Sequence, residues 1–147
     1  MLVDGLRIIT TPIKPNIMAI MRFFPITSCK KNTDNIDKEL IWSILEEAGK
    51  FASSVLAPLN HSADKQSSSI SKDGLVTTPD GFKEAYKAMC NSGWTTLDAK
   101  TKWGGQQMPM SISAAVSEMW HSANMSFALC HLLSQGQIYA LEKSASE

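Results

Sequence analysis

The sequence predicts an all-α domain of about four main helices, with a serine-rich surface excursion after the first. In four successive segments, apolar residues recur at the three- and four-residue spacing of an amphipathic helix. The composition supports a folded core, because 44% of the 147 residues are hydrophobic and only 19% are charged. The periodicity predicts helices near residues 37–57, 79–91, 110–121 and 124–141.

The first helix has the longest apolar stripe. Asp34 or Asp37 can cap its start, and Pro58 predicts its end because proline cannot continue the backbone hydrogen bonding of a helix. The polar segment 60–71 then predicts a surface excursion. Eight positions form the predicted core stripe: Ile41, Ile44, Leu45, Ala48, Ala52, Val55, Leu56 and Leu59.

The second helix has recognisable start and stop signals. Thr78 is the predicted N-cap and Pro79 the first helical residue, where a missing N–H costs nothing. Gly93 is predicted to end the helix, and the large side chain of Trp94 is expected to pack between neighbouring helices. The predicted buried stripe is Phe82, Ala85, Tyr86 and Met89. In the loop that follows, Gly104-Gly105 can serve a tight turn or a phosphate cradle, and the absence of a preceding strand favours the turn.

The third and fourth helices form a predicted hairpin that breaks at residues 122–124. Ile112, Ala115, Val116 and Met119 form the third stripe. The fourth predicted core stripe is Met125, Ala128, Leu129, Leu132, Leu133 and Gly136. Residues 119–141 contain no Lys, Arg, Asp or Glu, but their two histidines, two glutamines and helix break favour a buried core hairpin over a membrane span.

Charge and chemistry exclude several functions. Fourteen basic and fourteen acidic residues leave no surplus of positive charge for binding nucleic acid.

The cysteines and the leader bear on the compartment. Three cysteines without a C-x-x-C pair predict reduced thiols and a cytoplasmic protein. The basic leader also fits the mitochondrial matrix if the source is eukaryotic. His121, Cys130 and His131 are the metal candidates, but adjacent helical residues point about 100° apart, so we predict structural roles and no metal site. No catalytic residue is identified.

The order of several short blocks closely resembles the start of flavin-dependent acyl-CoA dehydrogenases, particularly the longer subgroup that includes the 3-methylmercaptopropionyl-CoA dehydrogenases. The resemblance covers residues 34–141. Its blocks are residues 44–52, 55–60, 74–79, 81–86, 93–94, 103–106 and 122–125.

This resemblance implies a domain organisation and a function. Residues 34–147 would be the N-terminal helical domain, residues 1–33 a divergent or disordered leader, and the middle and C-terminal domains would be absent. In the full-length family FAD accepts a hydride during α,β-oxidation of an acyl-CoA, and a C-terminal glutamate removes the proton. The fourth helix would form one wall of the acyl tunnel. The implied tunnel residues are Ser126, Phe127, Cys130, His131 and Ser134.

Three hypotheses therefore follow from the sequence. The favoured one is an N-terminal part of such an oxidoreductase, inactive alone and without tight FAD binding. The alternative is an orphan helical module that binds an acyl group or a protein partner, through self-association or contact with a missing domain. The third, a small active enzyme, requires a catalytic group that the sequence does not reveal.

Overall fold

A computed structural model describes residues 36–145 and confirms the all-α class. The predicted leader, residues 1–33, lies outside the described residues. Within the described range, the strands form one antiparallel pair in which Ser69 faces Thr77 and Ile70 faces Val76. The elements are α1 (Lys38–Phe51), a π-helical turn (Ala52–Leu56), α2 (Ala57–Gln66), β1 (Ser69–Ile70), β2 (Val76–Thr77), α3 (Phe82–Asn91), 3₁₀ turns (Trp94–Thr96 and Thr101–Trp103), α4 (Met110–Ala123) and α5 (Met125–Ser144).

The first helical run is longer than predicted. The side chain of Asp37 caps its start by accepting a hydrogen bond from the Glu39 amide, as predicted. Pro58 does not end the run, which continues through α2 to Gln66, so the first half of the predicted surface excursion is helical. The π-helical turn ends two residues before this proline, and Pro58 lies in the first turn of α2, where a missing N–H is tolerated.

The second helix begins three residues later than predicted. Thr78 does not cap it; the residue before Phe82 is Gly81, whose φ of 83° is left-handed. Pro79 lies in the preceding turn, where its carbonyl accepts from the Phe82 amide at 3.2 Å. The helix ends as predicted, because Gly93 takes a φ of 75° and leads directly into the buried Trp94.

The core surrounds Trp120 of α4. Its indole makes edge-to-face contacts with the rings of Phe51 (6.3 Å between centroids), Trp94 (5.7 Å) and His131 (5.6 Å). These contacts join α1, the loop after α3, and α5 around one side chain. The predicted stripe of the first helix faces this core: Ile41, Leu45, Ala48, Ala52 and Leu56 are buried, and Ile44, Val55 and Leu59 are partly buried.

Two of the predicted second-stripe residues are fully buried and two are not. Ala85 and Met89 lie in the core, Phe82 packs against its edge, and Tyr86 is exposed. The prediction that Tyr86 is buried is therefore wrong. None of the helices within residues 36–145 is both long and apolar enough to cross a lipid bilayer.

Candidate functional site

The last helix, α5, is placed by the buried Asn124. The Asn124 carboxamide oxygen accepts from the Phe127 amide (3.1 Å) and the Ser126 hydroxyl (2.9 Å), which caps the start of α5. Its amide nitrogen donates to the carbonyl of Leu56 at 3.3 Å. One side chain thus begins α5 and fixes its first turn to the π-helical turn.

The face of α5 that packs on the core differs from the predicted one. Phe127, Ala128 and His131 are buried, with Phe127 and His131 each only 4% exposed. Leu129 is 49% exposed and Leu133 77% exposed. The prediction that these two leucines face the core, together with Met125 and Leu132, is wrong. The prediction failed because apolar residues lie on all sides of α5 and define no single face.

The five residues implied for the tunnel do not share one environment. Ser126 and Cys130 are exposed and Ser134 is half-buried. Their spacing of four residues places them along one side of the helix, which we call the α5 flank (Ser126, Cys130 and Ser134). Phe127 and His131 lie behind this flank, in the core. The structure therefore brings three of the five together at the surface.

Helix α3 lies beside the α5 flank. The rings of Phe82 and Phe127 meet edge to face with centroids 5.5 Å apart. One turn further along α3, the exposed Tyr86 is covered only in part; this partial burial raises the pKa of its hydroxyl, and the nearby thiols of Cys90 and Cys130 raise it further. The side chain of Tyr86 thus lies near the flank, although the sequence interpretation placed it in the core. The four-residue spacing of Phe82, Tyr86 and Cys90 was the available signal for this face.

His131 is an unusual member of the core. Neither ring nitrogen has a hydrogen-bond partner among the described residues, and the ring packs against Trp120. Burial lowers the pKa of His131; Asp98 opposes this shift and His121 adds to it. The neutral imidazole is therefore the form that the core accepts.

The C-terminal half of α5 is held by the loop after α3. The Tyr139 hydroxyl donates a hydrogen bond to the Asp98 carboxylate. Burial raises the pKa of this hydroxyl and Asp98 raises it further, so Tyr139 remains a donor. Three residues further along α5, Glu142 forms an ion pair with Lys100, whose Nζ lies 3.0 Å from the Oε2 of Glu142. These two contacts fasten the part of the helix that lies beyond the core.

The Gly104-Gly105 loop closes on itself. A Cβ on Gly105 would lie 2.0 Å from the Ala99 carbonyl oxygen, so glycine is required by close backbone packing. Its amides already donate to carbonyls of the same loop, since Gly104 bonds to Thr101, Gly105 to Lys100, and Gln107 to Ala99. They are not available to a phosphate, so the loop does not fit the pyrophosphate of a dinucleotide such as FAD.

The candidate metal ligands have other contacts. The Nδ1 atom of His121 lies 2.7 Å from the carbonyl oxygen of Ser117 in its own helix. His131 is in the core, whereas Cys130 is exposed. Across residues 36–145, no three His, Cys, Asp or Glu side chains are grouped in a way that could bind a metal ion.

The sequence of this chain was compared with known families and proteins. No family model matches the chain. It is, however, a homologue of an acyl-CoA dehydrogenase along nearly its whole length, and its helical structure agrees with the N-terminal domain of that class. The relative is the 3-methylmercaptopropionyl-CoA dehydrogenase of Ruegeria pomeroyi, 32% identical over 138 residues. The match covers 92% of this chain and 23% of the relative, so the chain spans about a quarter of the relative's length.

Proposed function

We propose that this chain is the N-terminal part of a flavin-dependent acyl-CoA dehydrogenase, an oxidoreductase that introduces a double bond between Cα and Cβ of an acyl-CoA thioester. The observation that carries the proposal is 32% identity over 92% of the chain to an enzyme of that class. In the complete enzyme the substrate would be an acyl-CoA, as in fatty acid metabolism. We place the protein in the cytoplasm, or in the mitochondrial matrix if the source is eukaryotic.

The contribution of this chain would be one wall of the acyl tunnel, formed by α5. Ser126, Cys130 and Ser134 are small and uncharged, so an apolar acyl chain could lie along the α5 flank without displacing water from a charge. Phe127 and His131, the other two proposed tunnel residues, would support this wall from behind because they fix α5 to the core. Tyr86 would border the flank from α3.

The reaction itself would require groups from the rest of the enzyme. In the full-length family, FAD accepts the hydride and a C-terminal glutamate takes the proton. The Gly104-Gly105 loop does not offer free amides to a flavin phosphate. We therefore propose that the isolated chain neither binds FAD tightly nor oxidises an acyl-CoA.

A hybrid enzyme tests this proposal. The present chain would replace the matched segment of the Ruegeria pomeroyi relative, and the hybrid would be assayed for bound flavin and for oxidation of 3-methylmercaptopropionyl-CoA, with the isolated chain as control. We expect activity only in the hybrid. A folded hybrid without flavin, or an isolated chain that oxidises the substrate, would contradict the proposal.

A second candidate function is an independent helical module that binds an acyl group or a protein partner, including a second copy. The exposed leucines of α5 favour it, because an apolar surface of this kind is expected to be covered. Titration of the isolated chain with an acyl-CoA distinguishes the candidates. Saturable micromolar binding by the chain alone would favour the module.

A further inference from the structure

Tyr86 lies where α3 passes beside α5. Phe82, one turn earlier on α3, meets the ring of Phe127 edge to face, with 5.5 Å between the two centroids. Residues four apart lie on the same side of a helix, so Tyr86 is on the side of α3 that meets α5. Cys130 lies three residues beyond Phe127 on α5. Tyr86 and Cys130 are therefore on neighbouring turns of the two helices.

The neighbours of the Tyr86 hydroxyl locate the end of its side chain. Partial burial raises the pKa of this hydroxyl, the thiols of Cys90 and Cys130 raise it further, and the Ser134 hydroxyl lowers it. Neighbouring groups act on a pKa in this way over a distance of a few ångströms. The phenol therefore ends beside Cys130 and Ser134, two of the three members of the α5 flank.

The ring of Tyr86 contributes little to the core. Ala85 and Met89 hold α3 against the core, with exposed fractions of 3% and 0%, whereas Tyr86 is 38% exposed. A large, rigid ring that is open at the surface can contact a ligand lying beside it. The position of Tyr86 thus suits contact with a molecule on the α5 flank better than support of the domain.

We infer that Tyr86 determines the size of the acyl group that the α5 flank accepts. This inference rests on the proposed function, in which an acyl chain lies along the flank. The three side chains of the flank are small and uncharged, so they leave room for a chain without limiting its size. The phenol of Tyr86 is a large group beside them, and it occupies volume that a longer chain needs.

The expected effect of this ring is large enough to measure. A single methylene that a hydrophobic pocket accepts or excludes changes kcat/KM by about 10- to 200-fold. Replacing the ring with a methyl group frees the volume of more than one methylene. The preference between a long and a short acyl chain should therefore shift by at least about ten-fold.

The hybrid enzyme provides the test. The ratio of kcat/KM for octanoyl-CoA to kcat/KM for the shorter 3-methylmercaptopropionyl-CoA would be measured in Tyr86→Ala, Tyr86→Phe and Trp42→Ala. Trp42 is the matched control, because it is an aromatic residue of α1 with the same 38% exposure. We expect the ratio to rise at least about ten-fold in Tyr86→Ala and to stay within about two-fold in the other two, since Tyr86→Phe retains the ring.

The ratio separates size selection from a structural role. A loss of folded enzyme lowers both kcat/KM values equally and leaves their ratio unchanged. If Tyr86→Ala yields no folded hybrid, Tyr86→Leu replaces it, because leucine retains an apolar side chain on α3 but lacks the ring. This variant should raise the ratio in the same direction.

The contrary outcomes are distinguishable. An unchanged ratio in an active hybrid that carries Tyr86→Ala or Tyr86→Leu would reject the role of Tyr86 and leave the proposed function intact. An equal rise in Tyr86→Phe would assign the selection to the hydroxyl, and an equal rise in Trp42→Ala would assign it to a general loosening of the domain; either result overturns the inference. A folded hybrid that lacks flavin even without substitutions would reject the proposed function and the inference with it.

Discussion

His131 combines a titratable ring with an apolar site. Its folded-state pKa is lowered from 6.5, first by burial and then by His121, while Asp98 opposes the shift. The unfolded chain therefore binds this proton more readily than the folded protein does. The contribution of neutral His131 to the stability of the folded protein is therefore complete above pH 6.5. It is lost as the pH falls from there through the folded-state pKa.

We expect the melting temperature to fall between pH 7.5 and pH 5.5, by about 2–4 °C for each 1 kcal/mol of lost stability. His131→Phe should flatten this slope because it retains the ring contact with Trp120 and cannot bind a proton. His61→Gln, on an exposed part of α2, is the control and should leave the slope unchanged. An unchanged slope in His131→Phe would assign the pH dependence to another group.

The two faces of α5 can be compared by truncation. Phe127→Ala should lower the free energy of unfolding by about 3–5 kcal/mol, because it opens a cavity beside Phe82 in the core. Leu129→Ala should change it by no more than about 0.5 kcal/mol, since Leu129 is on the surface. Urea denaturation measures both values. Equal losses would mean that α5 is buried on both sides in the isolated chain.

Sequence periodicity could locate α5 but could not orient it. The buried residues Phe127 and Ala128 are apolar. So are four exposed residues on another side of α5: Met125, Leu129, Leu132 and Leu133. The pattern therefore contains two candidate core faces. The choice is made by contacts distant in sequence, namely Phe82 against Phe127 and Trp120 against His131. Those partners are not visible from the spacing within α5 alone.

At the scale of elements, single-residue signals had mixed outcomes. Asp37 and Gly93 acted as predicted because a cap and a left-handed glycine depend only on their immediate neighbours. Pro58 did not, because the π-helical turn before it changes the hydrogen-bonding register. The hydroxyls of Ser53 and Ser54 donate to carbonyls one turn back, at 2.9 and 2.6 Å, in this part of the run. Nothing in the spacing of the apolar stripe indicates that rearrangement.

Helix α5 should have two parts of unequal stability. Its first turns hold the buried residues Phe127, Ala128 and His131, whereas the later turns depend on Tyr139 with Asp98 and on Lys100 with Glu142. Few buried contacts and exposed backbone hydrogen bonds predict easier local opening.

We expect Tyr139→Phe to accelerate amide hydrogen exchange in residues 137–144 several-fold while leaving residues 127–133 unchanged. The hydroxyl that bonds Asp98 is lost, but the packing of the first turns remains. Tyr86→Phe, which removes a hydroxyl from α3, is the control. Acceleration along the whole of α5 would show that the helix opens as one unit.

The whole molecule has zero net charge, and within residues 36–145 α5 exposes an apolar surface, the leucine stripe (Met125, Leu129, Leu132 and Leu133). Fourteen basic residues balance fourteen acidic ones, so isolated chains repel one another little near neutral pH. Solubility of the isolated chain should then depend on the leucine stripe more than on the site residues, since Phe127 and His131 are already covered by the domain's own core. The resemblance, by contrast, implied that Phe127 and His131 face the acyl tunnel together with Cys130.

Two variants with the same added charge separate these effects. Leu129→Lys with Leu133→Lys interrupts the leucine stripe, while Leu40→Lys with Ser43→Lys places two positive charges on α1 and leaves the stripe intact. We expect only the first variant to remain monomeric in sedimentation velocity at concentrations where the unmodified chain associates, because charge in the stripe makes its burial against another molecule costly. Both should retain the original melting temperature within about 2 °C. Equal improvement by the two variants would assign association to net charge alone, and improvement by the α1 variant only would place the associating surface on the first helix.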